Sequence, residues 1–165
     1  VKKMNENNKK YLDTLAAINE YEKTALSRLD MFYIAVSKNF PQFDTYADKE
    51  AAKRFPRAYK IDEQEIEFLG RALHEDECDV YVDELSADQV VFKMFDNKGD
   101  VCLEVDAIFA FGTTSEFTEY IQSLKRELQE YNAYLKENEI NSFNDEERAE
   151  FNKYLELKSK YEEFA

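Results

Sequence analysis

Between Asn5 and Ser37 the chain contains neither Gly nor Pro, and Leu12, Leu15, Ile18, Leu26, Leu29, Phe32 or Tyr33, and Val36 return at helical spacing. Some 30 residues at about 1.5 Å each make a rod of roughly 45 Å. A compact chain of this length should measure only about 40 Å across. The rod must therefore cross the whole molecule, break, or project into a partner. "NFPQF" ends it, because Pro41 disfavours helical geometry at Phe40.

The remaining pattern supplies what the rod can pack against. Residues 45–73 read as two short helices, "TYADKEAAKRF" and "DEQEIEFLGRALH", separated by the proline of "FPRAYK". In the second, Asp62, Glu63 and Glu65 occupy the first turn, where acids favour the helix dipole, and Ile66, Leu69 and Leu73 form the stripe to be buried. The period then changes from helical to alternating. Cys78, Val80 and Val82 alternate with Asp79, Tyr81 and Asp83; "VVFKMF" follows; "DNKGD" is a turn in which Gly99 can take positive φ; "VCLEVDAIFAF" completes a third strand.

These runs predict a three-stranded antiparallel β-meander over about residues 78–111. With Asp96 to Gly99 as the loop, Phe95 lies opposite Asp100, Lys93 opposite Cys102 and Val91 opposite Glu104. That register gathers Val90, Phe92, Met94, Val101, Leu103 and Val105 on one apolar face, and a slip of one residue would spoil it.

"TTSE" then opens the clearest helix: Thr113 caps it, Glu116 reaches back, and Phe117, Tyr120, Ile121, Leu124, Leu128, Tyr131 and Leu135 repeat at helical spacing. Asn144 is the expected cap of a last helix carrying Phe151, Tyr154, Leu155 and Tyr161 along one side. The expected fold is a single α+β domain over 1–165: a helical part over 1–73, the meander over 78–111 and two helices over 113–164, with the long terminal helices packed on the sheet. The alternative arrangement pairs the first helix with the last two as a bundle from which the meander projects.

Composition limits the function classes. At 165 residues, with 13 Phe and 11 Tyr, the chain has far too much aromatic content for a disordered acidic tail. The missing initial methionine points to a fragment of a longer chain, and no charged-then-apolar leader opens it. Cys78 and Cys102 make no disulfide framework, so a reducing cytoplasm is the expected setting; no apolar run approaches the roughly 18 residues a membrane helix needs.

The three glycines lie too far apart for a nucleotide-binding loop, and no serine or histidine sits in a local catalytic signature. His74 and Cys78 have helical spacing with Glu75 and Glu77 near, but a zinc site needs a second strong cluster that the sequence lacks. A metal-dependent nuclease-like enzyme is the catalytic alternative, through Glu104 and Asp106 in "LEVD" and Glu156 to Lys158 in "ELK". The chain is otherwise expected to be non-enzymatic and to need no cofactor.

Net charge is −14, unevenly spread. Residues 1–60 carry 12 basic and 8 acidic side chains, residues 61–110 carry 3 and 15, and the rest carry 7 and 13. The basic stretch "KEAAKRFPRAYK" is better explained by pairing with the acidic middle than by direct nucleic-acid binding, which the acidic half opposes. "HEDECDVYVDE" alone places six carboxylates in eleven residues. In the expected register, Asp79, Tyr81, Asp83, Phe95, Glu104 and Asp106 share the outer sheet face, with Glu75, Asp76 and Glu77 beside it and Lys93 as its only cation.

Such a face is suited to a basic protein partner, including one whose nucleic-acid-binding site it would occupy, and the chain would then act as an inhibitor or regulator. The competing interpretation is a solvated sheet face charged against aggregation. A second class of function uses the helices instead: the long first helix and the aromatic final pair would form an assembly interface, such as a homodimer.

Overall fold

The computed structural model describes residues 5–40, 49–141 and 145–162. Helix α1 runs from Glu6 to Lys38 without a break, about 50 Å at 1.5 Å per residue. Asn5 caps it, its side chain accepting from the Asn8 N–H at 2.8 Å. Only the second half is buried, through Ala25, Leu29, Phe32, Ala35 and Val36. Every residue from Glu6 to Glu20 is exposed, Leu12, Leu15 and Ile18 included, and Tyr21 against Phe111 at 4.8 Å marks where the helix meets the rest of the protein. Of the three outcomes open to the rod, projection is the one observed.

Two short helices follow, α2 (Lys49–Arg54) and α3 (Pro56–Tyr59), then α4 (Glu63–His74). The proline segment expected to separate helices is itself a helical turn. Pro56 sits at its first position, where a missing N–H costs nothing. Residues 45–48, included in the expected first short helix, and the cap Asn144 lie outside the described residues. Asp62 caps α4 by accepting from the Gln64 and Glu65 N–H groups. Ile66 and Leu69 are buried as expected while Leu73 is half-buried; Phe68 and Gly70 join them.

The meander consists of β1 (Asp79–Leu85), β2 (Gln89–Asp96) and β3 (Gly99–Asp106), antiparallel in that order. The β2–β3 register is the expected one, with Phe95 opposite Asp100, Lys93 opposite Cys102 and Val91 opposite Glu104. The turn is held by Asp96, whose Oδ1 accepts from Lys98 and Gly99 N–H at 2.8 and 3.1 Å. Two details differ from expectation. β1 carries a bulge between Val82 and Glu84, so Asp83 opposes no residue of β2 and Glu84 takes the place across from Val91.

The third strand also ends earlier, at Asp106, and Ile108–Phe111 form a helical turn, α5. Asp106 starts that turn by accepting the Ile108 N–H, and Arg28 of α1 donates to the Ile108 and Phe109 carbonyls, both at 3.0 Å. The turn drives Phe109 into the core, where Phe32, Phe92, Phe117 and Tyr120 surround it at centroid distances of 5.0–6.3 Å.

Helix α6 (Thr114–Asn141) opens on a reciprocal capping box, Glu116 N–H to Thr113 Oγ1 and Thr113 N–H to Glu116 Oε1. Phe117, Ile121, Leu124, Leu128 and Tyr131 are its buried stripe. The architecture is α+β. α4 lies across the apolar face of all three strands, the second half of α1 packs on α4, α5 and α6, and α3 closes against α6. Helix α7 (Asp145–Glu162) departs from the expected packing: it contains no buried residue, and Tyr154, Leu155 and Tyr161 are exposed.

Candidate functional site

The outer sheet face follows from the strand registers. Its rows are Asp79, Phe95 and Asp100; Tyr81, Lys93 and Cys102; Glu84, Val91 and Glu104; then Gln89 with Asp106. Asp79, Tyr81, Phe95, Glu104 and Asp106 therefore share the face expected of them. Asp83 does not share its register, being the bulged residue, and Glu84 replaces it. Asp100 is an addition, brought onto the face by the tight loop. Glu75, Asp76 and Glu77 are exposed in the turn between α4 and β1, closed by Cys78 N–H to the Glu75 carbonyl at 3.3 Å.

At the centre of this face Tyr81 and Phe95 meet edge to face at 5.9 Å while remaining 40% and 37% exposed. They border a shallow depression with Lys93, Asp96, Gly99 and Asp100. Lys93 Nζ pairs with Asp100 Oδ2 at 3.1 Å. That hydrogen bond, then Tyr81 and the Asp100 and Asp83 charges, hold the ammonium above its ordinary range against partial dehydration. The face's single cation is thereby matched, and the carboxylates of Asp79, Glu84, Glu104 and Asp106 keep a net negative field around two exposed rings. Val91, also on this side, is only 6% exposed and gives the face an apolar centre.

A second feature lies around the edge of β3. A cleft of about 300 Å³ opens between the end of β3, the start of α4, α3 and α6. Its carboxylates are Asp62, Glu65, Asp88, Glu104 and Asp106 and its cations Arg57 and Lys60, over an apolar floor that includes Phe32, Ile66 and Leu103. Burial, then the neighbouring Asp62 and Glu104 charges, push the Glu65 carboxyl up. Tyr120, on the far wall, is pushed up to about 12 by burial and by Asp106.

Arg57 belongs to the same wall but is engaged elsewhere. Its side chain donates to Glu127 at 3.2 Å and Ser123 at 2.8 Å, while Glu127 also accepts the Arg57 and Ala58 N–H groups. Arg54 stacks over Phe55 and Tyr134. These arginines of the basic stretch thus fasten α2 and α3 to α6, where the expected partner was the acidic middle of the chain. Nothing in local spacing announced the cleft, since its acids come from the start of α4, the β1–β2 turn and the end of β3.

Of the residues considered for catalysis or metal binding, Glu104 and Asp106 line the cleft together, and the others lie apart from it. His74 packs on Tyr33 at 5.8 Å, and Cys78 Sγ is 4.0 Å from Glu75 Oε2. Lost hydration, then Glu75, Asp96 and Glu77, push the Cys78 thiol up against the opposing charge of Arg71, away from a nucleophilic thiolate. No group of three or more His, Cys, Asp or Glu with metal-binding geometry exists among the described residues. Glu156 and Lys158 lie on α7, none of whose residues is buried. Among the described residues no helix is long and apolar enough to cross a membrane. No family model matches the chain, and neither a curated protein nor a solved structure matches it.

Proposed function

We propose that the protein is a non-enzymatic interaction module whose outer sheet face binds a basic protein surface, acting as an inhibitor or regulator of that partner. The observation that carries this reading is the exposed Tyr81–Phe95 pair set among carboxylates whose only cation is already matched by Asp100. Aromatic rings supply contact area at small entropic cost, and the surrounding charge supplies rapid, selective association. A surface that normally grips nucleic acid is a partner chemistry suited to such carboxylates, of which Glu104 and Asp106 are alternate residues of β3 about 6.7 Å apart. The free thiols Cys78 and Cys102 suit a reducing cytoplasm as the place of action.

The test is capture from host lysate by immobilised wild-type protein and by an Asp79→Lys, Glu84→Lys double variant, at low and at high salt. We expect basic proteins that bind the wild type at low salt and are lost both in high salt and in the variant, with the variant's circular dichroism unchanged. Equal capture by the folded variant contradicts the reading.

A second reading, assembly through helices, is favoured by one observation: among the described residues, Leu12, Leu15 and Ile18 of α1 and Tyr154, Leu155, Leu157 and Tyr161 of α7 are exposed apolar side chains. Light scattering separates the two. A concentration-independent monomer supports the acidic-face reading, and a dimer that weakens on Leu15→Asp supports assembly.

A further inference from the structure

The two edges of the sheet differ. β1 lies against α1 and carries the bulge, both of which obstruct pairing with another strand. Among the described residues β3 carries no bulge, and no strand pairs with its outer edge. In the hairpin closed by the Asp96–Gly99 pair, hydrogen-bonded and non-bonded pairs alternate. Val101, Leu103 and Val105 therefore turn their N–H and C=O groups toward β2, and Asp100, Cys102, Glu104 and Asp106 turn theirs away from the sheet. The same parity follows from the other hairpin, where Ser86 N–H meets the Gln89 carbonyl at 3.0 Å. Among the described residues, no backbone hydrogen bond outside the sheet is made by Cys102 or Glu104.

An open row of amides is a template for a further strand. The side chains beside it determine which strand. Two copies of β3 laid together would bring the Asp100, Glu104 and Asp106 rows into opposition, so self-pairing is disfavoured. A basic strand meets the same row favourably. Beyond the edge, the acidic cleft of about 300 Å³ is at the small end of ligand pockets, roughly 300–1,000 Å³. Its floor of Ile61, Ile66 and Leu103 suits an apolar side chain, and the cations Arg57 and Lys60 in its wall offset part of its carboxylate charge.

We propose that β3 receives an extended basic segment of the partner as a fourth strand, with its basic side chains over the Asp100, Glu104 and Asp106 row and its apolar side chains turned toward the cleft floor. This docking mode rests on the acidic-interaction reading above and names the partner segment involved. Outward amides recur every second residue, about 6.7 Å apart, so a segment alternating basic and apolar residues fits both the acidic row outside and the apolar floor within.

The probe is a blocked synthetic peptide alternating Arg and Val, compared with the same peptide N-methylated at alternate backbone nitrogens. The two have equal charge, but only the first can donate to the edge. Binding is read by titration calorimetry, and amide exchange by NMR. We expect the unmodified peptide to bind, the Cys102 and Glu104 amides to gain protection, and the methylated peptide to bind about ten-fold more weakly or worse. Cys102→Pro should weaken the unmodified peptide similarly, since proline is tolerated on an edge where the N–H points away from the sheet.

Should that variant fail to fold, the methylated peptide still tests the edge on unaltered protein. Equal binding of both peptides without protection at Cys102 and Glu104 overturns the edge docking and leaves the acidic-face reading intact. Binding of neither peptide, while basic proteins are still captured from lysate, does the same. Binding of neither with no capture overturns both.

Discussion

Phe109 shows most clearly how single side chains organise this protein. It is fully buried, four aromatic rings enclose it, and the backbone turn that delivers it has its carbonyls satisfied by Arg28. Phe109→Ala should cost about 3–5 kcal/mol, measured by denaturant unfolding, because a large cavity would open where α1, α6 and β2 meet. Gly70 is a second such position. A Cβ there would lie 2.6–2.9 Å from the Tyr33 ring. Gly70→Ala should therefore destabilise by about 1 kcal/mol despite its better helix propensity, and Tyr33→Leu added to it should restore much of the loss.

Glu65 makes a pH-dependent prediction at the same scale. Its folded carboxyl is raised above its ordinary value of 4.5 by burial and by Asp62 and Glu104, so the folded state holds the proton more tightly than the unfolded state. Its contribution is then favourable at low pH and is lost as pH rises through the raised value. Glu65→Gln should stabilise the protein at neutral pH by less than about 1 kcal/mol, because solvent screens a half-exposed group. The gain should vanish near pH 4; a gain that grows on acidification would contradict the assignment.

At the scale of elements, what the sequence disclosed depended on whether a signal was local and periodic. Helix α6 was legible because its capping box and a seven-member stripe agree, and the β2–β3 register was legible because loop and apolar face allow only one alignment. The bulge at Asp83 broke the alternation that the first strand started with. Its signal was present: inward residues Val82 and Leu85 are three apart, where an unbroken strand requires two. "IFAF" is apolar throughout, so periodicity could not distinguish a strand from a buried helical turn. The outer face was legible from period-two alternation apart from Glu84 and Asp100, whereas the cleft joins residues distant in sequence and had no local signature.

The projecting half of α1 belongs to this scale as well. Its residues are exposed up to Glu20, so removing 1–19 should leave the melting temperature within a few degrees, as scanning calorimetry would report. A large drop at constant protein concentration would mean that the arm is covered in solution, in support of assembly.

For the whole molecule, charge and architecture are aligned. Helices cover one side of a small sheet; among the described residues most side chains of the other side are exposed, and they belong to the segment of the chain that holds 15 acidic against 3 basic residues. Edge and face form one acidic surface around β3 that the cleft continues, and Arg57 in the cleft wall is engaged by Glu127 and Ser123 while Arg54 lies over Phe55 and Tyr134. A cationic partner would be steered toward the outer sheet face over distances up to about a Debye length, ~8 Å at physiological salt.

The most direct test of this account is hydrogen–deuterium exchange on the full chain, alone and bound to the basic protein that it captures at low salt. New protection is expected to be confined to residues 79–84, 93–96 and 100–106. Protection confined to residues 6–20 of α1 and to α7, with the sheet unchanged, would contradict it.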